Sequence, residues 1–261
     1  VSKVLKRLEI FSDIRYYDQK HVYILNGKRQ KSVTSLLNQF KQKFNSDFWA
    51  GKKAEERGIT KKEMLQEWKL KAKIATTKGT VVHSYIENLL CQKVYPFPYD
   101  YVESEVGKEN IDVVKQRFDI ISKQVDQFTE DIIGRLLPVK SEIVVGDKNS
   151  GVCGMVDQLF FNYKAKELQI WDWKTNKNIA KHSVYDKKLL GILSHLDECE
   201  LTIYSLQLSM YKKIIQDNTG LDIGKCYLVW FFEGNSNYEV IECLDLTLEA
   251  ELIFNNVLNL N

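Results

Sequence analysis

Residues 151–175 read GVCGMVDQLFFNYKAKELQIWDWKT. Two runs rich in Val, Leu, Ile, Phe and Trp, 151–162 and 168–174, flank the polar turn YKAKE, the pattern of adjacent strands. Each run carries a carboxylate, Asp157 and Asp172. A charge removed from water is costly unless it is paired or bound to a metal. Antiparallel pairing about the turn brings Asp157 beside Asp172, where two like charges repel unless a cation lies between them. Hard oxygen ligands favour Mg²⁺ or Mn²⁺. Asp172 and Lys174 are two apart and share a strand face, so the carboxylate can hold a metal while the ammonium reaches a water or a phosphate oxygen. Glu142, in the preceding run SEIVV (141–145), is a third carboxylate for the same point, giving E-x14-D-x14-D-x-K. Trp171 and Trp173 point to the opposite face, which suits core packing or base stacking.

Upstream, HVYILNGKRQKSV (21–33) alternates around Asn26-Gly27, a hairpin signal, and SVTSLLNQF places Ser or Thr before an apolar run, a helix start. Residues 46–75 read as helix broken near Gly58, residues 77–92 as a second helix capped by Thr77 or Thr80, and 108–134 as an amphipathic helix. Downstream, 200–216 return to helix with Leu206, Met210 and Ile214 as a buried stripe. Residues 225–233 and 238–244 read as a closing hairpin and 247–260 as a final helix. The whole predicts an α/β fold, with a central mixed sheet flanked by helices and a helical N-terminal layer. We expect one domain over 1–261, with 1–135 mainly helical and 136–261 the αβ core.

The 261 residues are 44% hydrophobic and 28% charged, with three prolines, as in a soluble globular chain. No apolar run reaches the ~20 residues of a membrane span, and the first residues lack a secretory h-region. Five cysteines, Cys91, Cys153, Cys199, Cys226 and Cys243, are widely spaced with no C-x-x-C pair, which argues against a disulfide framework or a zinc site and suits a reducing intracellular setting. Net charge is +2, but residues 1–80 hold 19 Lys+Arg against 8 Asp+Glu, and the rest hold 18 against 27. A basic first third beside an acidic remainder suits a polyanion-facing surface next to a carboxylate-rich centre.

GMVDQLF followed by IWDWKT resembles the G-x-x-D…D-x-K core of the PD-(D/E)XK nucleases, in their RecB-like exonuclease branch. KGTVVHSYIENLL resembles that branch's upstream G-t-x-x-H-x-x-x-E helix, giving His83 and Glu87, and YSLQLSMY its downstream Q-x-x-x-Y helix, giving Gln207 and Tyr211. NGKRQKSVTSLLNQF is similar to the leader of phage exonucleases and of the mitochondrial genome maintenance exonuclease.

The resemblance implies a restriction-endonuclease-like sheet and a metal-dependent DNA exonuclease. Its Mg²⁺ or Mn²⁺, one or two ions, would be held by His83, Asp157, Asp172, the Trp173 carbonyl and Glu142. Lys174 would orient the attacking water, and Gln207 would position the metal-facing loop or substrate. His83 and Glu87 are i, i+4, and Glu87 either orients His83 or contacts DNA. Thr175 follows the lysine, to bond a phosphate or cap the strand end.

Lys69, Lys71, Lys73 and Lys78, with Lys41, Lys43, Lys52 and Lys53, are candidates for salt-sensitive phosphate contacts. Tyr211 is a further DNA-contact candidate. Phe40, Phe44, Phe48, Trp49 and Trp68 are aromatics that either stack unpaired bases or fill the core. Cluster-bearing relatives carry a closely spaced Cys set, which Cys226 and Cys243 do not form, so no iron–sulfur cluster is expected. The partner is DNA, single-stranded or with free ends, and no membrane. The setting is bacterial or phage-infected cytoplasm, with the mitochondrion as alternative. A structure-specific or restriction-type endonuclease is the first rival, and a non-catalytic nucleic-acid-binding module on the same fold the second.

Overall fold

The computed structural model describes residues 1–259. The chain begins with α1 (Ser2–Leu8), then β1 (Arg15–Tyr17), β2 (Val22–Leu25) and β3 (Lys28–Ser32). Four helices with a short one before them follow: α2 (Val33–Leu37), α3 (Ser46–Arg57), α4 (Lys61–Leu90), α5 (Tyr99–Val106) and α6 (Ile111–Ile132). The second half supplies β4 (Leu136–Asp147), β5 (Val152–Asn162), β6 (Glu167–Lys174), α7 (Glu200–Thr219), β7 (Ile223–Trp230), β8 (Glu239–Glu242) and α8 (Thr247–Asn259). No helix among the described residues is long and apolar enough to cross a membrane.

Eight strands form one mixed sheet in the order β1-β2-β3-β5-β6-β7-β8, with β4 on β5. β4 runs antiparallel along the whole of β5. The other edge of β5 is shared by β3, parallel at Lys31–Val152 and Ser32–Cys153, and by β6, antiparallel from Asn162–Glu167 to Gln158–Trp171. Residues 154–157 of β5 therefore lack a ladder partner on that edge, and the sheet opens there. β6 and β7 are parallel, joined through α7, because parallel neighbours need a crossover.

Side chains alternate across the sheet. Ile170 belongs to the buried cluster shared with α2, α7 and α8, whereas Trp171 and Trp173 belong to the one shared with Val81, Val82 and Ile86 of α4 and Phe118 and Phe128 of α6, Phe128 meeting both rings. That assigns both tryptophans to the core. Asp172 and Lys174 take the α7 face, where Lys174 Nζ lies 4.2 Å from the centre of the Tyr204 ring.

One expectation is corrected. Residues 61–90 form one continuous helix, not two. Its cap is Thr60, whose Oγ1 accepts from Glu63 N at 3.2 Å while Glu63 Oε2 accepts from Thr60 N at 2.7 Å, a capping box. Thr76 and Thr80 bond back to the carbonyls of Ala72 and Thr76 and so imitate caps inside the helix. Gly79 is small for a tertiary reason: a Cβ there would stand 3.3 Å from Thr175 Oγ1 at the end of β6.

Within the mainly helical N-terminal part, β1–β3 extend the sheet and bury Tyr23 and Leu25 in the α7-side core. The turn joining β2 and β3 is Asn26-Gly27, both with positive φ (51° and 73°), the geometry that makes Asn-Gly favourable between paired strands.

Candidate active site

The opening of the sheet at Asp157 makes the site. Two residues past Trp171, the last β6 residue laddered to β5, the Trp173 amide donates not to a backbone carbonyl but to Asp157 Oδ2, at 2.8 Å. A side chain thus replaces a ladder bond and holds the splayed strand ends. On the other side, Ser141 pairs with Gln158 and Ile143 with Val156, which sets Glu142 opposite Asp157. Glu142 has φ 48°, the left-handed region that residues with a Cβ rarely adopt. This local break in β4 accompanies a carboxylate that lines the cleft rather than packing into a layer.

His83, on α4, completes a group in which one ligand atom each from His83, Glu142 and Asp157 lie within 4.8 Å of one another. His83 Nε2 is 3.1 Å from the Trp173 carbonyl oxygen, and Nδ1 is 3.5 Å from Asp157 Oδ2. If Nε2 carries the proton and donates to that carbonyl, the Nδ1 lone pair and the Asp157 carboxylate are two acceptors face to face. That arrangement is favourable only with a proton or a cation between them.

The group opens into a cleft of about 730 Å³ whose walls include Thr76, Gly79, Thr80 and Glu87 of α4, Tyr16 and Asp18 beside the first hairpin, Met155, Thr175 and Asn176.

Electrostatics follow from crowding. Burial, then the Asp157, Glu87, Asp172 and Asp18 carboxylates, push Glu142 up to about 8. Burial and Asp172 likewise raise Asp157, against the pull of His83, Lys174 and the Trp173 amide. Asp172 is 2% exposed. Its Oδ2 has no aligned hydrogen-bond donor, although the Lys174 ammonium is in ion-pair contact with it. Burial works against the Lys174 charge, but Asp172 and Asp157 outweigh it and hold the ammonium above its ordinary range. Lys174 is therefore always charged at neutral pH, a donor and not a base.

The donor set fits a hard divalent cation: an imidazole and two carboxylates, with a backbone carbonyl and the partly unsatisfied Asp172 adjoining. The residues read from sequence divide accordingly. His83, Glu142, Asp157, Glu87 and Thr175 line the cleft, and Trp173 offers its carbonyl to His83. Asp172 and Lys174 form an ion pair on the α7 side of the wall rather than lining it.

Gln207 is not in the cleft wall. Its Nε2 donates to Tyr211 Oη at 3.0 Å, and Tyr211 is buried against Gly154, where a Cβ would come within 2.2 Å of the ring. Tyr211 is thus a packing residue, not a DNA contact. Lys78 is corrected too: it is 3% exposed, and its Nζ donates to Thr175 O and Glu233 Oε2, each at 2.8 Å, tying α4 to the chain after β6 and β7. Lys71 and Lys73 are engaged by Glu67 and Glu105, each at 2.6 Å, whereas Lys69 is exposed. Phe40 is core, whereas Phe44, Phe48 and Trp49 are exposed.

Sequence reading missed Tyr16, Asp18 and Asn176 in the cleft and Tyr204 beneath Lys174. Tyr204 lies three residues before Gln207 on one turn of α7, so its helical spacing was available as a signal. Nothing local marks Tyr16 or Asp18, which reach the cleft only because β1–β3 join the sheet.

No protein-family model matches the chain, and no curated protein matches it in sequence. Among solved structures, a candidate exonuclease from Eubacterium rectale aligns with 88% of this chain and 81% of its own, with TM-score 0.42 and 16% identity. A second, SSO0001, aligns with 76% of this chain and 87% of its own, with TM-score 0.27 and 15% identity. At those scores the chemistry has to be read from the site's own geometry.

Proposed function

We propose that this chain is a divalent-metal-dependent deoxyribonuclease that hydrolyses phosphodiester bonds and acts on DNA with free ends. One observation carries the reading. Glu142, Asp157 and His83 converge on one point at an opening of the sheet, with the buried Asp172–Lys174 pair directly behind. Asp18 and Glu87 add further negative charge to the same cleft. A phosphate is repelled from such a cleft unless a cation offsets the carboxylates, which makes the metal a condition of substrate entry.

His83, Glu142 and Asp157 would hold Mg²⁺ or Mn²⁺, with Asp172 and the Trp173 carbonyl adjoining. When bound, such a cation supplies Lewis-acid charge to the phosphate and lowers the pKa of the attacking water. The chain's own residues do the rest. From behind the cleft wall the permanently charged Lys174 would orient the water and offset the negative charge that grows on the phosphoryl oxygens as the water oxygen bonds phosphorus and the P–O ester bond breaks. The Tyr204 ring beneath Lys174 and the Asp172 carboxylate limit where that ammonium can sit. Thr175, at the end of β6, presents a hydroxyl to the cleft.

The test is cleavage of end-labelled linear single- and double-stranded DNA and of closed circular DNA, with Mn²⁺ and then with EDTA. Linear DNA is expected to be shortened from an end, circles spared, and EDTA to stop the reaction. Cutting of closed circles would assign an endonuclease instead. Absence of any cleavage by protein shown to bind Mn²⁺ would reduce the chain to a binding module.

A further inference from the structure

We propose that α3, the residues just before it and the outer half of α4 carry a second nucleic-acid subsite, remote from the cleft, that stacks unpaired bases on Phe44, Phe48 and Trp49, with the partly buried Trp68 backing Phe44. It rests on the nucleic-acid reading of the cleft. Phe44, Phe48 and Trp49 are 68%, 60% and 40% exposed, unusual for three large rings within six residues. They are not scattered: the Phe44 and Trp68 ring centres are 6.4 Å apart, and Phe48 meets Trp49 edge-on at 5.5 Å. Beneath them, Ala50, Ala54 and Met64 bury the α3–α4 contact, so the rings stand on a fixed base.

The charges around the rings separate into two kinds. Lys53, Lys61, Lys71 and Lys73 are each engaged by a carboxylate. Among the described residues, Lys41, Lys43, Lys52, Lys62 and Lys69 form no ion pair, and Lys52 Nζ stands 5.4 Å from the centre of the Trp49 ring. Exposed rings beside uncompensated ammonium groups match the requirements of single-strand binding, where bases stack and phosphates are neutralised. The core of a protein–protein interface is instead depleted of lysine.

The patch is also connected to the cleft. On α4, Leu65, Lys69, Ala72, Thr76 and His83 recur at spacings of three, four and seven residues, so the helix face beside Trp68 runs to the His83 group. Trp68 lies fifteen residues before His83, about 22 Å along the axis at ~1.5 Å per residue. At the ~3.4 Å spacing of a stacked strand that distance is about six nucleotides, and fewer if the strand is stretched.

The test is fluorescence anisotropy of fluorescein-labelled oligothymidylates of increasing length on metal-free protein, read together with quenching of tryptophan emission. Metal-free protein is expected to bind through the rings alone, and with Ca²⁺ added to offset the cleft carboxylates affinity is expected to step up at about six nucleotides, where a strand reaches the cleft. Phe44→Ala, Phe48→Ala and Trp49→Ala should each weaken long oligomers roughly tenfold, while Trp49→Phe keeps most of the affinity. These side chains are exposed, and circular dichroism of each variant checks the fold. A length profile and affinity unchanged in the combined alanine variant overturn the subsite, whatever else the rings then bind. So does a wild-type protein with no affinity for the oligomers. Ring-dependent binding without Mn²⁺-dependent cleavage keeps the subsite and sinks the nuclease reading, and cleavage with ring-independent binding does the reverse.

Discussion

Lys174 and Asp172 illustrate how burial makes a pair of residues interdependent. Asp172 is 2% exposed and its charge is offset chiefly by the Lys174 ammonium. Lys174→Ala should therefore do more than remove a donor. Leaving a buried carboxylate uncompensated costs about 3–5 kcal/mol, to be seen in urea denaturation. The double substitution Asp172→Asn with Lys174→Met should recover most of that stability while hydrolysis stays absent. Recovery of hydrolysis in the double variant would refute the role given to the pair.

Glu142 gives a pH dependence at the same scale. In the unfolded chain its carboxyl ionises near the ordinary value of 4.5, whereas in the fold it keeps its proton up to about 8. The folded state then binds more protons across that window, so this group's contribution to stability is full below the ordinary value and is lost as pH rises to about 8. A cation must displace the same proton. The rise in melting temperature on adding Mn²⁺ should accordingly be larger at pH 8 than at pH 6, and equal rises at both would contradict the assignment of Glu142 as a ligand.

At the scale of elements, the decisive contacts join motifs far apart in the chain. Gly154 is small because the Tyr211 ring of α7 lies on it, with a Cβ there only 2.2 Å from the ring. Overpacking of this kind costs about 1–3 kcal/mol, so Gly154→Ala should lower the denaturation midpoint. Combining it with Tyr211→Leu should give less than the sum of the single losses, a coupling that independent sites would not produce.

Helix α4 shows why local reading failed where it did. Thr77, Gly79 and Thr80 look like a helix start, yet the helix runs through them. Thr80 bonds back to the preceding turn, and Gly79 makes room for Thr175. Long-range packing set these residues, and it left a cap-like signature that only the fold explains. The hairpin at Asn26-Gly27 and the strands around Asp157 and Asp172 were legible because turn chemistry and apolar alternation are local.

For the whole molecule, the prediction concerns coupling between cation and fold. Because His83, Glu142 and Asp157 come from α4, β4 and β5, Mn²⁺ held between them should raise the melting temperature of the intact chain, since a ligand that binds only the folded state stabilises it by mass action. EDTA should reverse the effect. A cation-independent melting temperature, with Mn²⁺ at a concentration that supports cleavage, would place the ion elsewhere.

The sequence by itself determined the strands and their turn, the alternation that sends Trp171 and Trp173 to one face and Asp172 and Lys174 to the other, and the identity of the carboxylates. These follow from periodicity and from the penalty on buried charge, which act along the chain. Tertiary structure alone decided that β3 and β6 share one edge of β5 and leave a gap at Asp157. It also decided that Tyr16 and Asp18 join the cleft, and which lysines are neutralised by carboxylates and which remain free. Those outcomes depend on distances between residues far apart in the chain, such as Lys78 and Glu233, 155 positions apart, and no local pattern encodes such distances.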